Sequence, residues 1–106
     1  MTARRIPVCR VDEIEPGTAR RFSSEGLEIA LVRIGDDFYA VSDTCSHEDY
    51  SLSEGDVWED EVEIECPRHG STFDLRTGAP CSLPATQPVP VYEVEVADGE
   101  VAVVVP

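Results

Sequence analysis

Apolar positions along the chain fall into short runs, alternating or continuous, separated by turn-forming residues, and no stretch carries a helical stripe. Residues 6–10 read as a first strand, and Pro16-Gly17 turns the chain into a second over residues 18–22. The segments 28–34 and 38–42 flank Gly35-Asp36-Asp37 as a hairpin, and 56–58 and 62–65 flank the acidic turn Glu59-Asp60-Glu61. The plainest hairpin is C-terminal: Tyr92, Val94 and Val96 alternate with Glu93 and Glu95, Asp98-Gly99 turns, and residues 100–105 return. Asp-Gly supplies the positive φ angles of a two-residue hairpin loop. Eight prolines and seven glycines interrupt any candidate helix. The pattern predicts an all-β chain, a small antiparallel β-sandwich or barrel.

Composition narrows this further. With 106 residues, no internal repeat and no linker, the chain is expected to form a single domain over 1–106. Its net charge is −14, and all eight basic residues are arginine. Nucleic acid and anionic membranes are therefore poor partners, since both need a basic face. The longest apolar run, residues 101–105, is far shorter than the roughly 18 residues of a membrane span. The N-terminus has arginines but no apolar region behind them, so a secretory signal is not expected and a soluble, cytoplasmic protein is.

Four cysteines in such a chain, without signs of export, favour a metal site over a disulfide framework. Two segments concentrate the chemistry: Cys45-Ser46-His47, and Cys66-Pro67-Arg68-His69-Gly70. Together they use both histidines. A common zinc finger takes two cysteines from one turn and two histidines from another. Here each segment offers one thiolate and one imidazole, which suits a dinuclear site with thiolates on one iron and imidazoles on the other. A single structural zinc on Cys45, His47, Cys66 and His69 stays open as the alternative, as does an unrelated set of core and surface residues.

The double motif Cys-x-His and Cys-x-x-His-Gly, followed by Ser71-Thr72-Phe73-Asp74 and the turn Arg76-Thr77-Gly78, resembles the Rieske iron–sulfur proteins. Ser51-Leu52-Ser53-Glu54-Gly55 and the proline-rich run Leu83-Pro84-Ala85-Thr86-Gln87-Pro88-Val89-Pro90-Val91-Tyr92 also look like that family. The resemblance is dense from about residue 43 to 96, and the length resembles a free-standing Rieske ferredoxin. It implies one 2Fe–2S cluster on Cys45, His47, Cys66 and His69. It also implies a Rieske-type fold, with a cluster-binding subdomain of two loops on short strands (about 43–79) and base sheets from about 1–42 and 80–106. Pro84, Pro88 and Pro90 would belong to a lid over the sulfides.

Two ferric ions, two sulfides, two thiolates and two neutral imidazoles sum to zero charge, against minus two with four thiolates. An electron is added more easily to the neutral centre, which raises the potential from about −400 mV to roughly −150 to +300 mV. In the respiratory branch of the family two further cysteines join the ligand loops; Tyr50 and Arg68 stand at those positions here. The high-potential branch also has a tyrosine where this chain has Phe73. Ser71 keeps a hydroxyl for a bridging sulfide, but the low-potential end of the range is expected.

Resemblance to small Rieske ferredoxins implies a carrier, not an enzyme, between a flavin-dependent NAD(P)H reductase and a terminal non-haem iron (aromatic-ring hydroxylating) oxygenase. No histidine is left over for a mononuclear iron site. Alternatives are a small subunit of another redox enzyme such as a nitrite reductase, a ferredoxin serving iron–sulfur assembly and, from another class, a zinc-stabilised interaction module. Nine of the 22 acidic residues lie between His47 and Cys66 with no basic residue among them. They read either as a face for transient docking of basic partners or as the mark of an acidic proteome. Arg68, the one charge inside the ligand motifs, is a candidate partner contact. The acidic surface gives no reason to expect a tight homodimer, and a monomer is expected. Cys9 and Cys81 read as semi-buried thiols, and Trp58 as a core or edge-packing residue.

Overall fold

The structure is a computed structural model and describes residues 4–24, 26–44, 51–67, 70–81 and 87–105. Within them the chain forms β1 (Arg4–Arg10), β2 (Thr18–Ser24), β3 (Leu27–Ile34), β4 (Asp37–Ser42), β5 (Val57–Trp58), β6 (Glu63–Glu65), β7 (Thr72–Asp74), β8 (Val91–Ala97) and β9 (Glu100–Val105). Short 3-10 turns occupy Val11–Glu13 and Leu52–Glu54. One antiparallel sheet has the order β1-β9-β8-β4-β3-β2 and curls into a half-barrel; a second, of three short strands, has the order β5-β6-β7. All-β architecture was legible in the sequence. The strand β7 was not, because three residues give too short an alternation to separate from a loop.

The hairpins follow their turn chemistry. Asp98 and Gly99 both have positive φ (54° and 76°), as a twisted two-residue connection between β8 and β9 requires. Pro7 lies in β1, at the sheet's edge, where a missing N–H costs no ladder bond, and the pairing with β9 shifts register between Pro7 and Cys9.

β3 is the keel of the molecule. Ile29, Ala30, Leu31 and Val32 are all fully buried, because apolar clusters cover both faces of the strand. Ile29 and Leu31 point into the curl with Ile6, Ile14, Ala40, Val101, Val103 and Val105. Ala30 and Val32 face the other way, with Val41, toward Leu52, Ile64, Cys66, Phe73, Leu75 and Val89. The small sheet is thus attached through the reverse face of the large one. Arg33 locks the turn beneath: its guanidinium donates to the carbonyls of Val11 (3.1 Å), Ile14 (2.8 Å) and Gly35 (2.8 Å) and lies 5.4 Å from the Phe38 ring centroid.

Candidate cluster-binding site

Of the residues singled out from sequence, Cys66, Ser71 and Phe73 lie within the described residues. Cys45, His47, Arg68, His69, Pro84 and Tyr50 lie outside them. The described residues that flank them bring the two ends of each segment together, and the two pairs of ends adjoin.

The first loop leaves β4 at Asp43, and Thr44 bridges to Ser51 across its neck. Asp43 is 1% exposed. Its N–H donates to the Glu28 carbonyl at 3.0 Å, and its carbonyl accepts from the Leu52 N–H. Its carboxylate accepts from the Ser51 hydroxyl at Oδ2 (2.6 Å) and from the Ser53 N–H at Oδ1 (2.8 Å). The second loop is closed at its base by Cys66 N–H to the Ser71 carbonyl (2.7 Å) and by Gly70 N–H to the Cys66 carbonyl (3.0 Å). Gly70 has φ 75°, so the return depends on a residue without a Cβ.

Gly55 brings the two loops together. Its φ of −88° is open to any residue, but a Cβ there would overlap the Glu65 carbonyl and press on the Pro67 ring. The run 52–55 therefore lies directly on the backbone that leads into Cys66. Leu52, at the start of that run, shares one buried cluster with Cys66 and Phe73.

Beneath the second loop, Asp74 accepts from the Arg76 N–H at 2.7 Å and pairs with its guanidinium at 3.2 Å, shaping the Arg76-Thr77-Gly78 turn. The Arg76 hydrogen bond holds the Asp74 carboxyl below its usual range. Gly78 has φ 79°, and a Cβ on it would overlap the Val89 carbonyl, so this turn seats the end of the proline-rich run. There Val89 is buried and Pro88 and Pro90 are exposed.

The chemistry of these surroundings fits an iron–sulfur centre. Cys66, a thiol, is fully buried among Leu52, Ile64, Phe73, Leu75 and Val89, and such an apolar shell keeps water from a sulfur ligand. Cys9 and Cys81 are free and differ from it. Cys9 is partly buried, and that burial raises its pKa. Cys81 is exposed, contrary to the semi-buried thiol expected; partial desolvation and then the Glu63 carboxylate raise its pKa. Both stay protonated near neutrality and are poor ligands or nucleophiles. Trp58 is 45% exposed on edge strand β5 and donates from its indole nitrogen to Glu65 at 3.1 Å, so it packs at an edge and not in the core. Sequence reasoning missed Asp43, and gave Ser51 and Gly55 only as part of a run that looks like the family, without their roles in closing the site. The only signal for Asp43 was its position just before the first motif.

The Rieske [2Fe-2S] domain matches residues 4–93 of this chain. The chain belongs to the Rieske [2Fe–2S] family. Ferredoxin CarAc of Metapseudomonas resinovorans is 48% identical over 99 residues, covering 92% of this chain and 91% of the relative. The structure of the ferredoxin of carbazole 1,9a-dioxygenase from Nocardioides aromaticivorans IC177 superposes with a TM-score of 0.91 at 41% identity, covering 93% and 95% of the two chains. A complex of reduced oxygenase and oxidized ferredoxin in carbazole 1,9a-dioxygenase holds a chain 48% identical, with a TM-score of 0.87 and coverage of 93% and 91%. This Rieske protein carries a 2Fe–2S cluster of Rieske type and is an electron carrier, not a catalyst. The zinc module is set aside on the same grounds. Among the described residues no helix is long and apolar enough to cross a membrane.

Proposed function

We propose that Cys45 and Cys66 ligate one iron of the cluster and His47 and His69 the other. On this reading the chain relays single electrons from a flavin-dependent NAD(P)H reductase to a terminal non-haem iron oxygenase. It does so as a cytoplasmic monomer of one domain, with residues 43–79 as its cluster-binding subdomain. When bound, the cluster supplies a one-electron couple. The protein's part is to hold it and tune it. Buried Cys66 would anchor it from the second loop while Leu52, Phe73 and Leu75 exclude water. Asp43 and Gly55 would hold the first loop against the second. Arg68 would contact a partner, and Pro84 would stiffen the lid.

The observation that carries the reading is that Leu52, directly after the Thr44–Ser51 neck, and the buried thiol of Cys66 share one apolar cluster. The oxygenase bound to a 48% identical ferredoxin in the carbazole 1,9a-dioxygenase complex gives the class of acceptor. Exposed Glu54, Asp56, Glu59, Asp60 and Glu61 beside that site supply a negative face for a basic one on the partner.

The test is anaerobic isolation followed by iron, acid-labile sulfide and electron-paramagnetic-resonance measurements. Two irons, two sulfides and a rhombic signal on reduction are expected, and His69→Ser should lose that signal. Stoichiometric zinc without sulfide would end the proposal. Electron delivery to the carbazole 1,9a-dioxygenase oxygenase, followed by stopped flow, should slow as salt rises.

A further inference from the structure

The large sheet carries an open seam between β4 and β8. The two strands pair only through Val41↔Val91 and Ala40↔Tyr92, with the Ser42 N–H donating to the Pro90 carbonyl at 2.8 Å beyond one end. Hydrogen-bonded positions alternate along an antiparallel pair, so Phe38 and Val94 would form the next rung at the other end. Among the described residues no such rung forms. The hairpin at Asp98-Gly99 fixes the direction of β8. Ala97↔Glu100 closes that two-residue loop, so Glu95 and Glu93 bond to β9, and the backbone groups of Val94 and Val96 turn toward β4. Two strand segments thus present donors and acceptors to each other across a gap.

The gap is a cleft of about 410 Å³ lined by Asp36, Asp37, Phe38, Tyr39, Val94 and Val96. Its two faces differ. Phe38 and Val94 pack on the aliphatic core inside the curl, and Val96, on the same face of β8, is exposed. Asp37 and Glu93 lie on the opposite face and are exposed. Asp36 borders the cleft and meets Arg33 at 3.6 Å, while Arg76, in the adjoining hollow, is paired with Asp74 at 3.2 Å. The cleft therefore offers an apolar inner wall and an acidic outer one.

We propose that this seam takes up an extended segment of a partner protein in which apolar and basic residues alternate. An added strand binds through main-chain hydrogen bonds, and its alternate side chains give specificity. Here the inward side chains join Phe38, Val94 and Val96, and the outward lysines or arginines stand opposite Asp37 and Glu93. A second copy of this chain is a poor guest, since each copy carries a net charge of −14. The seam opens at the end of β4 opposite the one that leads into the first loop, so a guest there leaves the cluster end free. It is a tethering surface and not an electron path.

The test adds a blocked octapeptide of alternating lysine and valine to the holoprotein and follows hydrogen–deuterium exchange by mass spectrometry. Residues 37–40 and 92–96 should gain protection while the visible spectrum stays native. A peptide of alternating lysine and proline carries the same charge but lacks an N–H at every second position, and should leave those residues unprotected. Val96→Lys sets a cation in the apolar wall and should lose the protection; its site is exposed, so the fold should hold. No protection by the first peptide would overturn the proposal. Equal protection by both peptides, or in both proteins, would reduce the binding to general attraction for an acidic chain and overturn it too. Protection without peptide, together with a dimer in sedimentation, would give the seam to a second copy, which also overturns it.

Discussion

The two sheets of this protein are held together by different means. The large sheet has strands of six to eight residues, paired over nearly their whole length apart from the short contact between β4 and β8. Its curl encloses an aliphatic core of Ile, Leu and Val. The small sheet has strands of two or three residues, and most of its order comes from closures: the Asp43 carboxylate, the Thr44–Ser51 bridge, the Cys66–Ser71 bond, and glycines where backbones approach. Strands that short bury too little surface to stand alone, and on the proposed ligand assignment a cluster joining the two loops would supply what the core does not. The division teaches that one region is a scaffold held by its own aliphatic core, whereas the other depends on a few exact contacts and on its cofactor.

That contrast can be broken most forcefully at Gly55. A methyl group there collides with the backbone leading into Cys66, so Gly55→Ala should separate the loops and abolish cluster loading while the large sheet still gives its β-type circular dichroism. Full iron and sulfide content in this variant would show that the close approach is not needed. In the large sheet, Leu31→Ala should cost about 2–5 kcal/mol in a denaturant titration. Its visible spectrum and potential should stay native in the folded fraction, since Leu31 faces the curl and not the cluster side. A shifted potential would mean that the two regions are coupled more closely than their separate cores suggest.

Within the small region, Phe73→Tyr places a hydroxyl in the cluster that contains Cys66. A hydrogen bond worth about 1 kcal/mol to the reduced form would raise the potential by roughly 40 mV. An unchanged value would show that the hydroxyl does not reach a ligand sulfur. The smallest effect is expected at Asp74. Its folded pKa is depressed by Arg76, so the pair contributes stability above the unfolded carboxyl value of about 3.9 and loses it as pH falls through the folded value. Asp74→Asn should therefore lower the melting temperature slightly near pH 7 and by a smaller margin near pH 4. Equal losses at both would assign the effect to the Arg76 turn's hydrogen bonds and not to charge.

The amino-acid sequence alone determined the hairpins and the chemistry. Asp98-Gly99 and the alternation around it are local signals, and Cys-x-His with Cys-x-x-His-Gly carries its meaning in spacing that needs no coordinates. Even so, Val96, which alternates like a core residue, is 50% exposed, because the end of β8 runs past the part that packs. Tertiary structure decided the rest. That β3 is covered on both faces, that Gly55 meets Glu65, that Trp58 lies at an edge, and that Asp43 is buried beside the ligand loop all depend on residues distant in the chain. Periodicity and motifs report what a residue does with its near neighbours. Burial and the proximity of a charge are set by whatever the fold brings against it, and only packing of the two sheets supplies that.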